Sequence, residues 1–82
     1  MKIIKFYSDT CGPCKVLDNN LKKAKIEYTA VDVNDDENAP LLEKYNIRNI
    51  PVLIKEDNGV VIDKHHGIMT VEQLKNWCNE AD

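Results

Sequence analysis

Long apolar runs are missing from this chain. Within its first ten residues, MKIIKFYSDT, apolar side chains never occur more than two in a row. A secretory leader needs about 7–15 apolar residues together and a membrane helix about 20. Neither is expected here, and the expected compartment is the cytoplasm. Basic stripes and acidic tails are also missing: 11 Lys and Arg and 14 Asp and Glu are mixed along the chain, for a net charge of −3. That pattern speaks against nucleic acid or a membrane surface as partner. Linkers, repeats and low-complexity stretches are absent too, so residues 1–82 read as one soluble domain and a monomer. Cysteine is scarce, with three in all. A reducing compartment makes a structural disulfide improbable and leaves redox or metal chemistry for a close pair.

The residues present describe a compact alternation of elements. Ile3–Tyr7 (IIKFY) is a β-rich run. Cys14, Leu17, Leu21 and Ala24 then recur at spacings of three and four, one face of a helix. Lys15, Asp18, Asn19, Lys22 and Lys23 fall elsewhere on that helix. Ile26–Val33 (IEYTAVDV) predicts a second strand. The acids of NDDENA, which include Asp35, Asp36 and Glu37, cap a short helix with Pro40 in its first turn and Leu41, Leu42 and Tyr45 as its apolar face. Pro51–Lys55 and Val60–Lys64 are strands joined by EDNG, where Asn58-Gly59 signals a hairpin. Thr70 and Gln73 form a capping box ahead of a last helix with Val71, Leu74, Trp77 and Cys78 on its inner face. The order β-α-β-α-β-β-α predicts an α/β fold: a mixed four-stranded sheet with helices on both faces.

Cys11-Gly12-Pro13-Cys14 falls where the first strand gives way to the first helix. A disulfide across so small a loop stabilises little. A zinc site wants four ligands, and no second C-x-x-C is present. His65 and His66 are neighbours near a strand end and point opposite ways if extended. The acids after the second strand lack calcium-loop spacing. No metal and no cofactor is therefore expected, and the redox reading stands. At a helix N-terminus free N–H groups stabilise a thiolate. Cys11 is then the nucleophile, and Cys14, one turn further in on the apolar face, resolves the mixed disulfide. Gly12 lets a partner's backbone approach, and Pro13 stiffens the turn toward a reducing poise.

These residues resemble the thioredoxin family. CGPC after a β run is similar to its active-site motif; Tyr45–Ile54 (YNIRNIPVLI) resembles the segment that ends in its cis-proline; His66–Trp77 resembles its glycine loop and last helix. The likeness covers nearly the whole chain, without the family's usual N-terminal strand and helix. It implies a thioredoxin-like fold and a thiol–disulfide oxidoreductase that reduces protein disulfides and is recharged by a thioredoxin-reductase-type donor. It implies that Pro51 is cis beside Cys11, that Ile50 offers backbone groups to an extended substrate, and that Gly67 leaves room for it.

Two positions depart from the family. A Trp usually precedes the motif, where this chain has Thr10, with Tyr7 or Thr10 filling part of its place. An Asp is usually buried six residues before the first cysteine, where this chain has Lys5. Lys5 either lies near Cys14 and alters its proton chemistry or snorkels to the sheet edge and does nothing. Cys78 reads as a small core residue and Trp77 as a core anchor. Two other functions stay open. A glutaredoxin-like redoxin could serve ribonucleotide reductase, although HHGIMT does not match the glutathione clamp. A thioredoxin-like binding module could leave the cysteines idle.

Overall fold

The computed structural model describes residues 1–79. Strand β1 (Lys2–Tyr7) leads into helix α1 (Gly12–Lys23), and β2 (Thr29–Asp32) follows. A 3-10 turn at Asp36–Asn38 runs into α2 (Ala39–Lys44). The hairpin β3 (Val52–Asp57) and β4 (Val60–His66) precedes α3 (Val71–Asn79). The strands lie in the order β2-β1-β3-β4, with β1 and β2 parallel and the other pairs antiparallel. The succession of elements and the mixed four-stranded sheet are as expected. Among the described residues no helix is long and apolar enough to cross a membrane.

Alternation along the strands sorts side chains onto two faces. Ile3 and Leu53 face α1 and α3, where they pack with Leu17, Leu21, Leu74 and Trp77. Ile4, Phe6, Val52 and Ile54 face the other way, against Tyr45 with Leu41, Leu42 and Ile47 around it. Burying each such leucine or isoleucine is worth about 1.5–3 kcal/mol. The helices do not cover the whole sheet: Val60, Val61 and Ile62, at the start of the edge strand β4, stay exposed.

Several boundaries differ from the sequence reading. The second strand begins at Thr29, not Ile26. Lys25 takes a left-handed conformation (φ 58°), and the N–H groups of Lys25 and Ile26 bond back to the carbonyls of Lys22 and Leu21, both at 3.1 Å. Residues 24–26 thus close α1 in a Schellman motif, and Ile26 packs on the core that holds Leu21. Asn46 (φ 54°) closes α2 the same way, with Ile47 N–H on Leu42 O at 2.8 Å. Pro51 stands before β3, because it has no N–H for the ladder. The hairpin strands run longer than expected, to Asp57 and His66, with a bulge at Lys55/Glu56. Asn58 and Gly59 both have positive φ (51° and 82°), as a type I′ turn requires. The capping box forms in both directions, with Thr70 and Gln73 bonds of 2.9 and 3.1 Å.

Candidate active site

Topology brings three segments to one end of the sheet. Phe6 near the end of β1 pairs with Val52 at the start of β3, and Val52 pairs with His66 at the end of β4. The chain therefore leaves β1 for Cys11, enters β3 from Pro51 and leaves β4 for Gly67 at that same end.

The turn before the cysteines is held by a buried hydroxyl. Ser8 Oγ accepts from Thr10 N–H (3.3 Å) and from Asn34 Nδ2 (3.0 Å), and it pairs with Thr10 Oγ1 at 3.1 Å. Cys11 N–H donates to Ser8 O at 3.1 Å. Thr10, which stands where the family has Trp, is thus part of a polar clasp between the turn and the end of β2. Cys11 is the N-cap of α1, and its Sγ accepts the Cys14 N–H at 3.1 Å. Pro13 sits in the first turn of α1, where a missing N–H costs nothing. Cys11 and Cys14 are joined as a disulfide, with Cα atoms 5.2 Å apart. Cys14 is 2% exposed, while Cys11 is only partly covered. A side chain at position 12 would meet nothing within 4 Å, so the approach over Gly12 is open.

Across the sheet end, Ile50–Pro51 is cis and Pro51 is buried. Gly67 N–H donates to Pro51 O at 3.0 Å, which ties the glycine loop to the proline. The φ of Gly67 is 91°, a conformation that favours glycine. Asn20 of α1 donates to Met69 O at 2.9 Å and fixes that loop from the other side.

Beneath the cysteines, Lys5 is 5% exposed. Its ammonium does not extend to the sheet edge. It lies 3.1 Å from Asp18 Oδ1, with the rings of Tyr7 and Tyr28 each 5.0 Å away. Asp18 also accepts from the Tyr28 hydroxyl and pairs with exposed Lys22 at 3.1 Å. Burial alone would raise the Asp18 carboxyl pKa, but hydrogen bonds from Lys5 and Lys22 outweigh it and hold it below the usual value. Lys5, Asp18, Tyr28 and Cys14 line one cleft of about 280 Å³.

The other singled-out residues make separate contacts. Asp35 caps the 3-10 turn by accepting Glu37 N–H at 3.0 Å. His65 pairs with Leu53 and His66 with Val52, so the two histidines take opposite faces. Cys78 is partly buried against the α1/α3 core, and burial pushes its thiol pKa up. Trp77 is 6% exposed and donates from Nε1 to Asp63 at 2.7 Å. Sequence reasoning missed Ser8, Asn20 and Asn34, polar residues whose partners are set only by the fold. It also missed Asp18 as a partner of Lys5. Asp18 falls four residues after Cys14, close to the same helix face.

A cystine at the head of a helix, with a cis-proline at the same end of a mixed sheet, defines a dithiol–disulfide oxidoreductase. The thioredoxin family model matches residues 1–80. Thioredoxin of Rickettsia felis is 31% identical over 83 residues, covering 96% of this chain and 79% of that protein. Thioredoxin of Mycoplasmoides gallisepticum is 33% identical, covering 89% and 76%. Among solved structures, a malaria-parasite thioredoxin-2 superposes with a TM-score of 0.84 at 17% identity, over 95% of this chain and 80% of that one. Oxidised Plasmodium falciparum thioredoxin gives 0.76 at 29% identity, over 95% and 77%. The fold is thioredoxin-like, and the chain belongs to the thioredoxin family. It is a thiol–disulfide oxidoreductase working through the Cys11–Cys14 pair.

Proposed function

We propose that Cys11 is the attacking thiol and Cys14 the resolving thiol in the reduction of protein disulfides. The observation that carries this assignment is the asymmetry of the pair. Cys11 Sγ receives a helix N–H at a partly open position, whereas Cys14 is 2% exposed. The Cys11 thiolate attacks a substrate disulfide, forming a mixed disulfide and expelling one substrate thiolate, which takes a proton from solvent. Cys14 then loses its proton, and its thiolate attacks Cys11 Sγ. The bond to the substrate breaks, the second substrate thiol leaves, and Cys11–Cys14 is oxidised by two electrons. Thr10, Gly12 and Pro13 shape the turn. Ile50, Pro51 and Gly67 receive an extended substrate segment, with backbone groups of Ile50 pairing as an added strand.

Residues 1–82 act as one domain and a monomer in the cytoplasm, and a thioredoxin-reductase-type donor returns the pair to the dithiol. A potential near about −270 mV, typical of thioredoxins, would fit that donor; about −200 to −230 mV would point to glutathione. The role assignment is tested with a disulfide-bonded protein such as insulin. Cys14→Ser is expected to trap a covalent adduct through Cys11, and Cys11→Ser to trap none. An adduct on Cys14 in the Cys11→Ser protein would reverse the roles.

A further inference from the structure

Lys5 and Asp18 place opposite charges in the cleft that Cys14 also lines. Resolution by Cys14 brings a third charge there, the thiolate. With both partners present the two fields largely cancel. The rest of the surroundings does not replace either charge. From β1, Tyr7 also faces the cleft; burial and the carboxylates of Asp32 and Asp9 raise its pKa, so its hydroxyl stays neutral. Asp9 and Lys15 line the rim and are exposed, which leaves their charges to solvent screening. Lys22 reaches Asp18 from outside with a side chain 69% exposed. From the approach to β2, Tyr28 contributes a hydroxyl that Asp18 already engages. The ammonium of Lys5, at 6% side-chain exposure, is the least screened charge in the cleft, and Asp18 is its nearest counter-charge.

We propose that Lys5 and Asp18 act as a balanced couple that sets the pH at which Cys14 resolves the mixed disulfide. Both are positioning residues: neither touches the reacting sulfurs, and each acts through the charge of the other. The inference rests on Cys14 being the resolving thiol. Its signature is a pair of opposite shifts. Without Lys5 the carboxylate remains, opposes a second negative charge, and moves resolution to higher pH. Without Asp18 the ammonium remains, favours the thiolate, and moves resolution to lower pH. A charge that shares a partly closed cleft with a titrating group moves its titration by on the order of one pH unit. A purely structural pair would move both variants the same way, through loosened packing.

The test is stopped-flow reaction of the reduced protein with 5,5′-dithiobis(2-nitrobenzoate), in a Cys78→Ser background so that two thiols remain. The first release of thionitrobenzoate reports attack on the reagent, and the second reports resolution. The pH midpoint of the second phase is expected to rise by about one unit in Lys5→Met and to fall by a similar amount in Asp18→Asn. It should return to within about 0.3 unit of the parent in the double variant, which restores neutrality. Lys5→Met buries a side chain of similar length without charge, so it decides the matter should Asp18→Asn fold poorly. An unchanged midpoint in Lys5→Met, or shifts of the same sign in both variants, would overturn the couple. The prior reading fails separately. If Cys14→Ser still gives a second phase at the parent's rate, Cys14 is not the resolving thiol and both inferences fall.

Discussion

Two lysines are buried on the same face of this sheet, and they are not equivalent. Lys5 sits in β1 at the cysteine end, 5% exposed, paired with a carboxylate. Lys55 sits in β3 toward the far end, 1% exposed. Its ammonium donates to the carbonyl of Trp77 in the last turn of α3 and lies 4.9 Å over the Trp77 ring. A helix C-terminus offers free carbonyls and negative potential, so Lys55 is satisfied by backbone and an aromatic face. Lys5 instead depends on Asp18, whose side chain is 26% exposed. One end of the face is a finished structural joint. The other end is a charge balance that a single substitution upsets.

The largest expected effect comes from breaking that balance. Removing one partner of a buried ion pair costs about 3–5 kcal/mol when the other is left buried and uncompensated; Asp18→Asn does that to Lys5, whereas Lys5→Met leaves Asp18 partly exposed and still paired with Lys22. Partial exposure of Asp18 tempers the first figure. Asp18→Asn is therefore expected to lower unfolding stability by about 3 kcal/mol, and Lys5→Met by about 1 kcal/mol or less. Urea denaturation at pH 7 measures both. Equal losses would mean that Lys5 is held by packing rather than by its counter-charge.

Lys55→Met is the matching cut at the other end. It keeps the length of the side chain but leaves the buried Trp77 carbonyl without its donor, at about 1–3 kcal/mol. It should leave the pH profile of resolution where it was, because Lys55 does not line the Cys14 cleft. A shift as large as that of Lys5→Met would erase the distinction between the two ends.

That distinction was only half legible in the sequence. Lys5 stood out as a charge inside IIKFY, and CGPC with Ile50-Pro51 and Gly67 marked out the candidate site, which the fold gathers at one end of the sheet. Lys55 gave no such signal, because the strand was read as ending there. Extended to Asp57, the strand puts Lys55 on the same side as Leu53, two residues earlier. Strand ends depend on pairing with a partner strand, and the bulge at Lys55/Glu56 is a property of that pairing. Asp18 was grouped with the outward polar residues of α1. Helical periodicity places it near the inner face, but only the position of β1 and Tyr28 decides that it turns inward. The elements and the cysteines come from local patterns. The partners come from contacts across the sequence.

Acid sharpens the comparison with a smaller effect. Asp63, cross-strand from Lys55, accepts from Trp77 Nε1, and that bond with the Lys64 N–H holds its carboxyl below the ordinary value of 3.8. Asp18 is held below 3.8 as well. A carboxyl whose pKa is lowered on folding adds stability that is complete above its unfolded pKa. That stability is lost as pH falls through the folded one. Both ends should therefore weaken below about pH 4, and neither between pH 5 and 8. Asp63→Asn is expected to flatten the acid limb of a stability-against-pH curve without touching the resolution profile. Asp18→Asn should change both.

The smallest effect separates charge from backbone. Lys25 carries its charge in solvent and has no buried partner among the described residues, yet it occupies the left-handed position that ends α1 (φ 58°). A β-carbon there costs about 1–2 kcal/mol, which glycine avoids, although glycine's freer unfolded chain returns part of the gain. Lys25→Gly should stabilise the protein by about 0.5 kcal/mol. The two phases of thiol release should stay where they were. A loss of stability would show that the Lys25 side chain, like those of Lys5 and Lys55, is held by an interaction and not merely tolerated by the turn.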